Sequence, residues 1–186
     1  MRVIGGIHKG RRLRTVGGLS VRPTSDRLRE TLFNILAPRI ERARFLDICA
    51  GSGAVGIEAL SRGALTVTFI ERSRQACGVI AANLKTLGIT ISEATTVNRD
   101  AAAAIKRLEQ DLQQFDVAFL DPPYASGLYN GVMRQLGSGV LLAEGSIVVV
   151  EHLVKTPLQP EFGKLRVVRV VKQGESGLAF YEAVSL

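Results

Sequence analysis

Apolar residues along the chain recur in two spacings that alternate with each other. Short runs rich in β-branched and aromatic residues lie at 45–49, 65–71, 89–97, 115–120 and 146–150. Stretches with apolar positions at helical spacing follow the first three of these runs, at 54–62, 73–87 and 101–114. Such alternation is typical of a parallel sheet covered by helices on both faces. The pattern therefore predicts an α/β doubly wound fold.

The final residues depart from this alternation. Residues 167–171 and 178–184 have strand patterns, and only the short turn 174–177 separates them. Two strands joined without a helix pair antiparallel. We therefore expect an antiparallel hairpin at the end of the sheet.

The first residues also differ from the alternating region. Residues 2–16 alternate short apolar pairs with glycine and arginine, which predicts a small β-hairpin outside the main core. Thr24 or Ser25 can cap the helix that follows, and Arg27 and Arg29 are expected on the face of that helix opposite its apolar residues.

Positive charge is concentrated at the start of the chain. The net charge is +7 over 186 residues, yet residues 1–44 carry +8 and the remainder carries −1. Ten of the eleven basic residues in that stretch are arginines, whose planar guanidinium groups suit phosphates and base edges. This charge favours a nucleic-acid partner, and a solvated arm on an ordinary basic protein is the alternative. The candidate contacts are Arg11, Arg12, Arg14, Arg22 and Arg27.

Several classes of protein are disfavoured by composition. No run of eighteen apolar residues and no signal-like N-terminus occurs, so we expect a cytoplasmic protein with no membrane contact. Cys49 and Cys77 do not form a disulfide framework, and their spacing from the two histidines does not resemble a zinc site. We therefore expect no metal.

A glycine-rich turn follows the first strand of the alternating region. Gly51, Gly53 and Gly56 form a G-x-G-x-x-G pattern between a predicted strand and a predicted helix, although this pattern alone is weak evidence. Glu71 ends the next strand, where a carboxylate can accept hydrogen bonds from both hydroxyls of a ribose. Together these residues predict an adenosine-containing ligand.

Asp47 distinguishes between the possible adenosine ligands. It lies near the mouth of the first strand, where a pyrophosphate would meet a second negative charge. S-adenosylmethionine carries an ammonium and a sulfonium and lacks phosphate, so Asp47 favours it over NAD. A capping or turn role for Asp47 stays open, and Asp100 could either accept from an adenine amino group or cap the following helix. The predicted cofactor contacts are Asp47, Gly51, Gly53, Glu71 and Asp100.

An Asp-Pro-Pro-Tyr sequence follows the apolar run 115–120. Its two prolines fix the backbone and remove two donors, which leaves an acceptor-only surface. If the Asp121 carboxylate and the Pro122 carbonyl accept both hydrogens of an exocyclic amine, the nitrogen lone pair points toward a methyl donor. Tyr124 can stack on a base that has left its helix. Asp121, Pro122 and Tyr124 are the predicted catalytic residues; an ordinary strand terminator and a core aromatic are the alternative.

With these residues the sequence resembles the RsmD family, bacterial methyltransferases that modify guanine N2 in 16S ribosomal RNA. The resemblance covers essentially the whole length and rests on 2–6, 10–13, 22–30, 51–53, 58–64 and 121–124. Segments 22–30 and 58–64 are specific to the family, whereas the others occur in many methyltransferases. Ile48-Cys49 and Glu175-Ser176 depart from the residues usual in the family, and the second departure leaves the role of the final hairpin open.

The resemblance implies a Rossmann-like class I S-adenosylmethionine-dependent methyltransferase with a seven-stranded, mostly parallel sheet and a terminal antiparallel hairpin. Together with the residue patterns described above, we expect a basic β-hairpin appendage at 1–22 and a methyltransferase domain at 23–186. The resemblance also implies that the cofactor is contacted by Asp47, Gly51, Gly53, Glu71 and Asp100. The target amine is expected to contact Asp121 and Tyr124. The resemblance further implies that the enzyme binds 16S ribosomal RNA within a partly assembled small subunit.

Two alternatives remain from the residues themselves. A DNA adenine-N6 or cytosine-N4 amino-methyltransferase would use the same chemistry at Asp121, but such enzymes usually carry an added recognition domain. A non-catalytic RNA-binding ribosome assembly factor would explain the basic start of the chain, but would not require Asp121.

Overall fold

The structure is a computed structural model, and it describes residues 1–17, 25–122, 127–156 and 158–185. The strands are β1 (Arg44–Ile48), β2 (Thr66–Ile70), β3 (Ala94–Val97), β4 (Phe115–Leu120), β5 (Leu142–Leu153), β6 (Glu161–Phe162), β7 (Leu165–Gln173) and β8 (Ser176–Ala183). The helices are α1 (Asp26–Ile40), α2 (Ala54–Ser61), α3 (Arg74–Leu87), α4 (Ala101–Gln110) and α5 (Leu128–Ser138).

The strands form one sheet in the order β3-β2-β1-β4-β5-β8-β7-β6. Neighbours from β3 to β5 are parallel, and the pairs β5–β8, β8–β7 and β7–β6 are antiparallel. This confirms the predicted α/β fold with its terminal antiparallel hairpin. The described residues contain one strand beyond the seven expected, because Glu161–Phe162 pair with the start of β7; two residues are too few to show an alternating pattern.

Helix α5 was not among the predicted helices. Its glycines weaken the helical signal, and one of them is required by packing, since a Cβ at Gly137 would lie 1.9 Å from the Phe162 carbonyl oxygen. The backbone of α5 at Gly137 therefore packs directly against β6, and any side chain at this position would prevent that close contact.

Both faces of the parallel strands are buried. Side chains alternate along each strand, so Phe45 and Phe119 face the helices α1 to α3, whereas Ile48 and Leu120 face α4 and α5. This arrangement leaves the strand ends as the accessible parts of the central sheet. No helix in the described ranges is long and apolar enough to cross a membrane.

The N-terminal segment, residues 1–17, folds back on itself through a bridge between Arg2 and Arg12. Val3 donates to the Arg11 carbonyl over 2.9 Å, which closes the loop. The expectation that this hairpin lies outside the main core is wrong, because Val3 and Leu13 are buried in the same apolar cluster as α1 and α2. The proposed boundary between residues 22 and 23 lies outside the described residues.

Polar contacts with α2 hold the N-terminal segment in place. The carboxylate of Glu58 accepts from the backbone N–H groups of Ile4 (2.8 Å) and Gly5 (2.7 Å). Ser61 Oγ donates to the Gly5 carbonyl over 2.6 Å. Gly6 has φ +75, and a Cβ there would lie 1.6 Å from the Ser61 carbonyl oxygen. The run 58–64 is therefore the surface on which the start of the chain docks.

Arg29 does not lie on the exposed face of α1. Its side chain is completely buried, with Nη2 3.0 Å from Asp26 Oδ1 and 2.6 Å from the Arg2 carbonyl. Its Nε lies 3.8 Å from Glu58 Oε2. Burial lowers the pKa of Arg29, and the two carboxylates oppose this change. The prediction for Arg29 was wrong because an arginine that lies between the buried carboxylate of Glu58 and the half-exposed one of Asp26 can face the core; Arg27 is exposed as expected.

Candidate active site

Four predicted acidic residues meet at one edge of the sheet. Asp47 lies in β1, Glu71 directly follows β2, and Asp121 directly follows β4, while Asp100 lies three residues beyond β3. Because these strands are parallel neighbours, their carboxyl ends share an edge, where ligands of open α/β sheets bind. The structure thus brings residues from four separate motifs together.

The glycine-rich turn between β1 and α2 requires its glycines for different reasons. Gly51 (φ 56) and Gly53 (φ 77) adopt left-handed backbone, and a Cβ at Gly51 would meet no atom within 4 Å, so its surface is open to a ligand. A Cβ at Gly56 would lie 2.3 Å from a ring carbon of Phe69, so this glycine serves helix–sheet packing. Cys49 also has positive φ, at 64, beside the same turn.

Glu71 holds the turn through its carboxylate. Oε2 accepts from the Gly51 N–H over 2.9 Å, and Oε1 accepts from the Ser73 N–H over 2.8 Å. The Asn98 amide donates to the Glu71 and Arg72 carbonyls, over 2.9 and 3.0 Å. Glu71 is therefore tied to the Gly51 backbone, and each carboxylate oxygen still has a lone pair for a further donor.

Asp47 is buried beneath the turn and caps α2. Its Oδ2 accepts from the Gly56 N–H over 2.8 Å, so the capping alternative for this residue is confirmed. Burial raises the pKa of Asp47 to about 7; the nearby charge of Glu71 adds to this effect, and the Gly56 N–H opposes it. A positively charged ligand at the turn would favour the ionised form.

Asp100 is exposed and is the N-cap of α4, where its side chain accepts from the Ala103 N–H over 3.0 Å. The structure therefore confirms capping for this residue. The remaining lone pairs of the carboxylate leave contact with an adenine amino group as a prediction.

Asp121 lies beside a carboxylate that the sequence analysis did not select. Leu120 pairs with Val150 across β4 and β5, so Asp121 and Glu151 are the next residues on adjacent parallel strands. Burial raises the pKa of Asp121 well above its ordinary value, and the charges of Glu151 and then Asp47 raise it further. The signal for Glu151 was present in the sequence as a charge that directly follows the apolar run 146–150.

Of the two remaining predicted catalytic residues, Pro122 lies within the described residues and Tyr124 does not. Pro122 is buried directly after Asp121. Tyr124 lies outside the described residues, as does Arg22 of the predicted nucleic-acid contacts.

Negative charge dominates this edge of the sheet. Cys49 lies within it, and its pKa is raised to about 12 by burial and then by the charges of Glu71, Asp121 and Asp47. A thiol in this position stays protonated at neutral pH. The edge therefore suits a ligand with positive charge and disfavours a pyrophosphate. Across the described ranges, no group of three or more His, Cys, Asp or Glu side chains could hold a metal ion.

The raised pKa of Asp47 predicts a pH-dependent gain in stability for Asp47→Asn. The unfolded carboxyl ionises near pH 3.8 and the folded one near 7, so the wild-type protein loses stability as the pH rises between these values. At about 1.4 kcal/mol per pKa unit, the ligand-free variant gains on the order of 4 kcal/mol over the wild type at pH 8. Urea unfolding at pH 5 and pH 8 measures this, and an equal difference between variant and wild type at both pH values would contradict it.

Three described arginines of the predicted nucleic-acid contact lie together on the N-terminal segment. Arg11, Arg12 and Arg14 are exposed. Arg11 Nη2 donates to the Thr86 carbonyl at the end of α3 over 3.3 Å, so the segment runs along this helix. The arginines are thus carried by a segment that is anchored on the same side of the sheet as the glycine-rich turn.

Comparisons with known proteins agree with this geometry. Residues 1–182 match the family described as Conserved hypothetical protein 95. Ribosomal RNA small subunit methyltransferase D of Escherichia coli (strain K12) is 40% identical over 158 residues, which are 85% of this chain and 77% of that protein. The same protein of Haemophilus influenzae is 37% identical over 158 residues, which are 85% of this chain and 81% of that protein.

A solved structure supports the same relationship. The structure of yhhF from Escherichia coli has a TM-score of 0.86 at 37% identity, and the match covers 100% of this chain and 99% of that one. The chain therefore belongs to the RsmD family of ribosomal RNA methyltransferases, the family described as Conserved hypothetical protein 95.

Proposed function

We propose that this protein transfers a methyl group from S-adenosylmethionine to the exocyclic N2 amine of a guanine in 16S ribosomal RNA. The observation that carries the proposal is the placement of Asp121 and Pro122 at the carboxyl edge of β4, beside the glycine-rich turn. The names of the related proteins, ribosomal RNA small subunit methyltransferase D, support the RNA substrate.

The residues of this edge fit S-adenosylmethionine. The open surface above Gly51 leaves room for a ligand against the turn, and the surrounding carboxylates complement an ammonium and a sulfonium. In the proposal Asp47 stabilises the positive charges through the turn, Glu71 accepts from the ribose hydroxyls, and Asp100 accepts from the adenine amino group. Gly51 and Gly53 provide the backbone surface. When bound, S-adenosylmethionine supplies an electrophilic methyl group on a sulfonium whose thioether is a good leaving group.

Asp121 and Pro122 prepare the amine for attack. The carboxylate and the Pro122 carbonyl accept the two amine hydrogens, which draws the nitrogen lone pair out of conjugation with the ring and toward the methyl carbon. With the donor bound, the nitrogen–carbon bond would form as the carbon–sulfur bond breaks, and the electron pair of that bond would leave with the thioether. The nitrogen then loses a proton to Asp121, whose raised pKa makes it a better acceptor than an ordinary carboxylate.

RNA contact is assigned to the basic start of the chain. Arg11, Arg12, Arg14, Arg22 and Arg27 are proposed to bind phosphates, and Tyr124 is proposed to stack on the extruded guanine. We extend the proposal to a partly assembled small subunit as the form in which the RNA is met. An enzyme with this substrate acts in the cytoplasm.

The proposed function is tested by locating the methyl group. The protein and radiolabelled S-adenosylmethionine are incubated in separate reactions with naked 16S RNA, with small ribosomal subunits and with duplex DNA. The labelled base is identified after digestion of each product. We expect label on N2 of one guanine in RNA. Label on adenine N6 or cytosine N4 of DNA would identify a DNA methyltransferase, and RNA binding without transfer would identify an assembly factor.

Neutralising three arginines is expected to weaken RNA binding and reduce its salt dependence. Each phosphate contact contributes about 0.7–0.9 to the slope of log K against log salt, so replacing Arg11, Arg12 and Arg14 by Gln should lower that slope by roughly 2. Filter binding over a salt series measures both effects. The matched control replaces Lys106, Arg107 and Arg134, three exposed cations of α4 and α5 on the other face of the sheet. A slope that is equal in the two triple variants would contradict the assignment.

A further inference from the structure

One buried amide connects the glycine-rich turn to the N-terminal segment. Asn83 of α3 is 2% exposed, and its Nδ2 donates to the Ser52 carbonyl over 3.1 Å, between Gly51 and Gly53. The same Nδ2 donates to the Arg14 carbonyl over 3.1 Å, and Oδ1 accepts from the Arg14 N–H over 2.8 Å. A single side chain thus bonds the backbone of two segments that are far apart in sequence.

The two segments also meet without Asn83. Ser52 Oγ lies 3.8 Å from the sulfur of Met1, and Met1 is tied to the opposite side of the hairpin because its carbonyl accepts from the Leu13 N–H over 3.1 Å. The contact of a hydroxyl with a thioether is weak. Asn83 therefore provides the stronger of the two connections, through hydrogen bonds shielded from water.

The hydrogen bonds of the Asn83 side chain connect two segments that are each proposed to bind a ligand. Ser52 belongs to the turn proposed to hold the methyl donor, and Arg14 belongs to the exposed basic set proposed to hold RNA. A shift of the N-terminal segment at Arg14 must either carry Asn83 with it or leave buried polar groups unpaired, which is costly. Movement of the segment and movement of the turn are linked for this reason.

We propose that Asn83 is a positioning residue that couples binding of RNA at the N-terminal segment to binding of the methyl donor at the glycine-rich turn. The proposal rests on the proposed function. RNA that immobilises the segment holds the Ser52 carbonyl, and with it the turn, in the conformation that receives the cofactor. Because coupling between two binding sites is reciprocal, the cofactor strengthens RNA binding by the same factor.

The test measures the dissociation constant of S-adenosylhomocysteine with and without an in vitro transcript of 16S RNA, in the full-length protein. The ratio of the two constants is the coupling factor, which we expect to be about tenfold in the wild type. Asn83→Asp keeps an acceptor for the Arg14 N–H. It replaces the donor Nδ2 by a carboxylate oxygen, which would face the Ser52 and Arg14 carbonyls without a hydrogen to donate. Asn83→Ala removes all three bonds and adds no charge. Both variants should bring the factor close to one.

Asn98→Ala is the matched control. Asn98 also donates to backbone beside the proposed cofactor site, at Glu71 and Arg72, but none of its described contacts involves the N-terminal segment. This variant should weaken S-adenosylhomocysteine binding equally with and without RNA, and so leave the coupling factor unchanged. Circular dichroism melts of each variant identify any that fails to fold, and the other substitution at Asn83 then provides the measurement.

The outcomes separate this proposal from the proposed function. A coupling factor in either folded Asn83 variant that equals the wild-type value would overturn the role of Asn83, as would a wild-type protein that binds both ligands independently; both results leave the proposed function standing. If the wild type binds neither the transcript nor small ribosomal subunits, the proposed function fails and the coupling fails with it.

Discussion

Asp121→Ala is expected to reduce the rate of methyl transfer by about 10³-fold, because the variant loses the acceptor that orients the amine and takes its proton. Binding of S-adenosylhomocysteine should change little, since the described contacts of the glycine-rich turn involve Glu71 and Asp47 and not Asp121. Single-turnover kinetics with saturating RNA measures the first effect, and a binding titration measures the second.

Asp116→Ala is the control for this experiment. Asp116 belongs to the same strand, β4, but lies near its opposite end, where it accepts from Arg44 Nη2 over 2.8 Å. Its loss removes a partly exposed ion pair far from the carboxyl edge and should leave the single-turnover rate within about twofold. Undiminished transfer by Asp121→Ala would contradict the proposed chemistry. An equal loss in both variants would assign the effect to stability.

Glu58→Ala is expected to lower the free energy of unfolding by about 3–5 kcal/mol, because it leaves two backbone donors and Arg62 without their acceptor and removes one of the two carboxylates beside the buried Arg29. Glu58 is completely buried and accepts from Arg62 Nε over 2.7 Å in addition to Ile4 and Gly5. The N-terminal segment should also detach, so hydrogen exchange at the Ile4 and Gly5 amides should accelerate. Urea unfolding and exchange monitored by mass spectrometry measure the two effects.

A second glutamate provides the comparison for Glu58. Glu182 of β8 pairs with Arg39 Nη2 over 2.9 Å, but both side chains are partly exposed. Glu182→Ala should cost less than about 1 kcal/mol, because water solvates the partner that remains. If the two glutamate variants unfold at similar urea concentrations, Glu58 does not anchor the N-terminal segment as the contacts indicate.

The order of the elements and the chemistry of the motifs were predictable because both are local. The alternating apolar spacings located β1 to β5 and α2 to α4, and the turn at 174–177 identified the antiparallel hairpin. The glycine-rich turn and the Asp121-Pro122 sequence each carry their chemistry within a few residues. Helix α5 was missed because its glycines weaken the helical pattern, although one of them meets a packing requirement of the folded chain.

Contacts between distant segments could not be predicted in the same way. Arg29 resembles a solvent-facing arginine until the fold places Glu58 of α2 and the Arg2 carbonyl beside it. Glu151 becomes a neighbour of Asp121 only because β5 pairs with β4 in that register. Both positions depend on which elements pack together, and a hydropathy pattern along one segment contains no such information.

The sequence by itself determined the α/β fold class, the glycine-rich turn, the Asp121-Pro122 acceptor and the basic start of the chain, because each depends on spacing within one segment. Only the tertiary structure decided that Val3 and Leu13 at the start of the chain are buried in the same cluster as α1 and α2, that Glu151 lies beside Asp121, and that Asn83 connects Arg14 to Ser52. The physical reason is that strand order and register bring together residues whose separation along the chain carries no periodic signal.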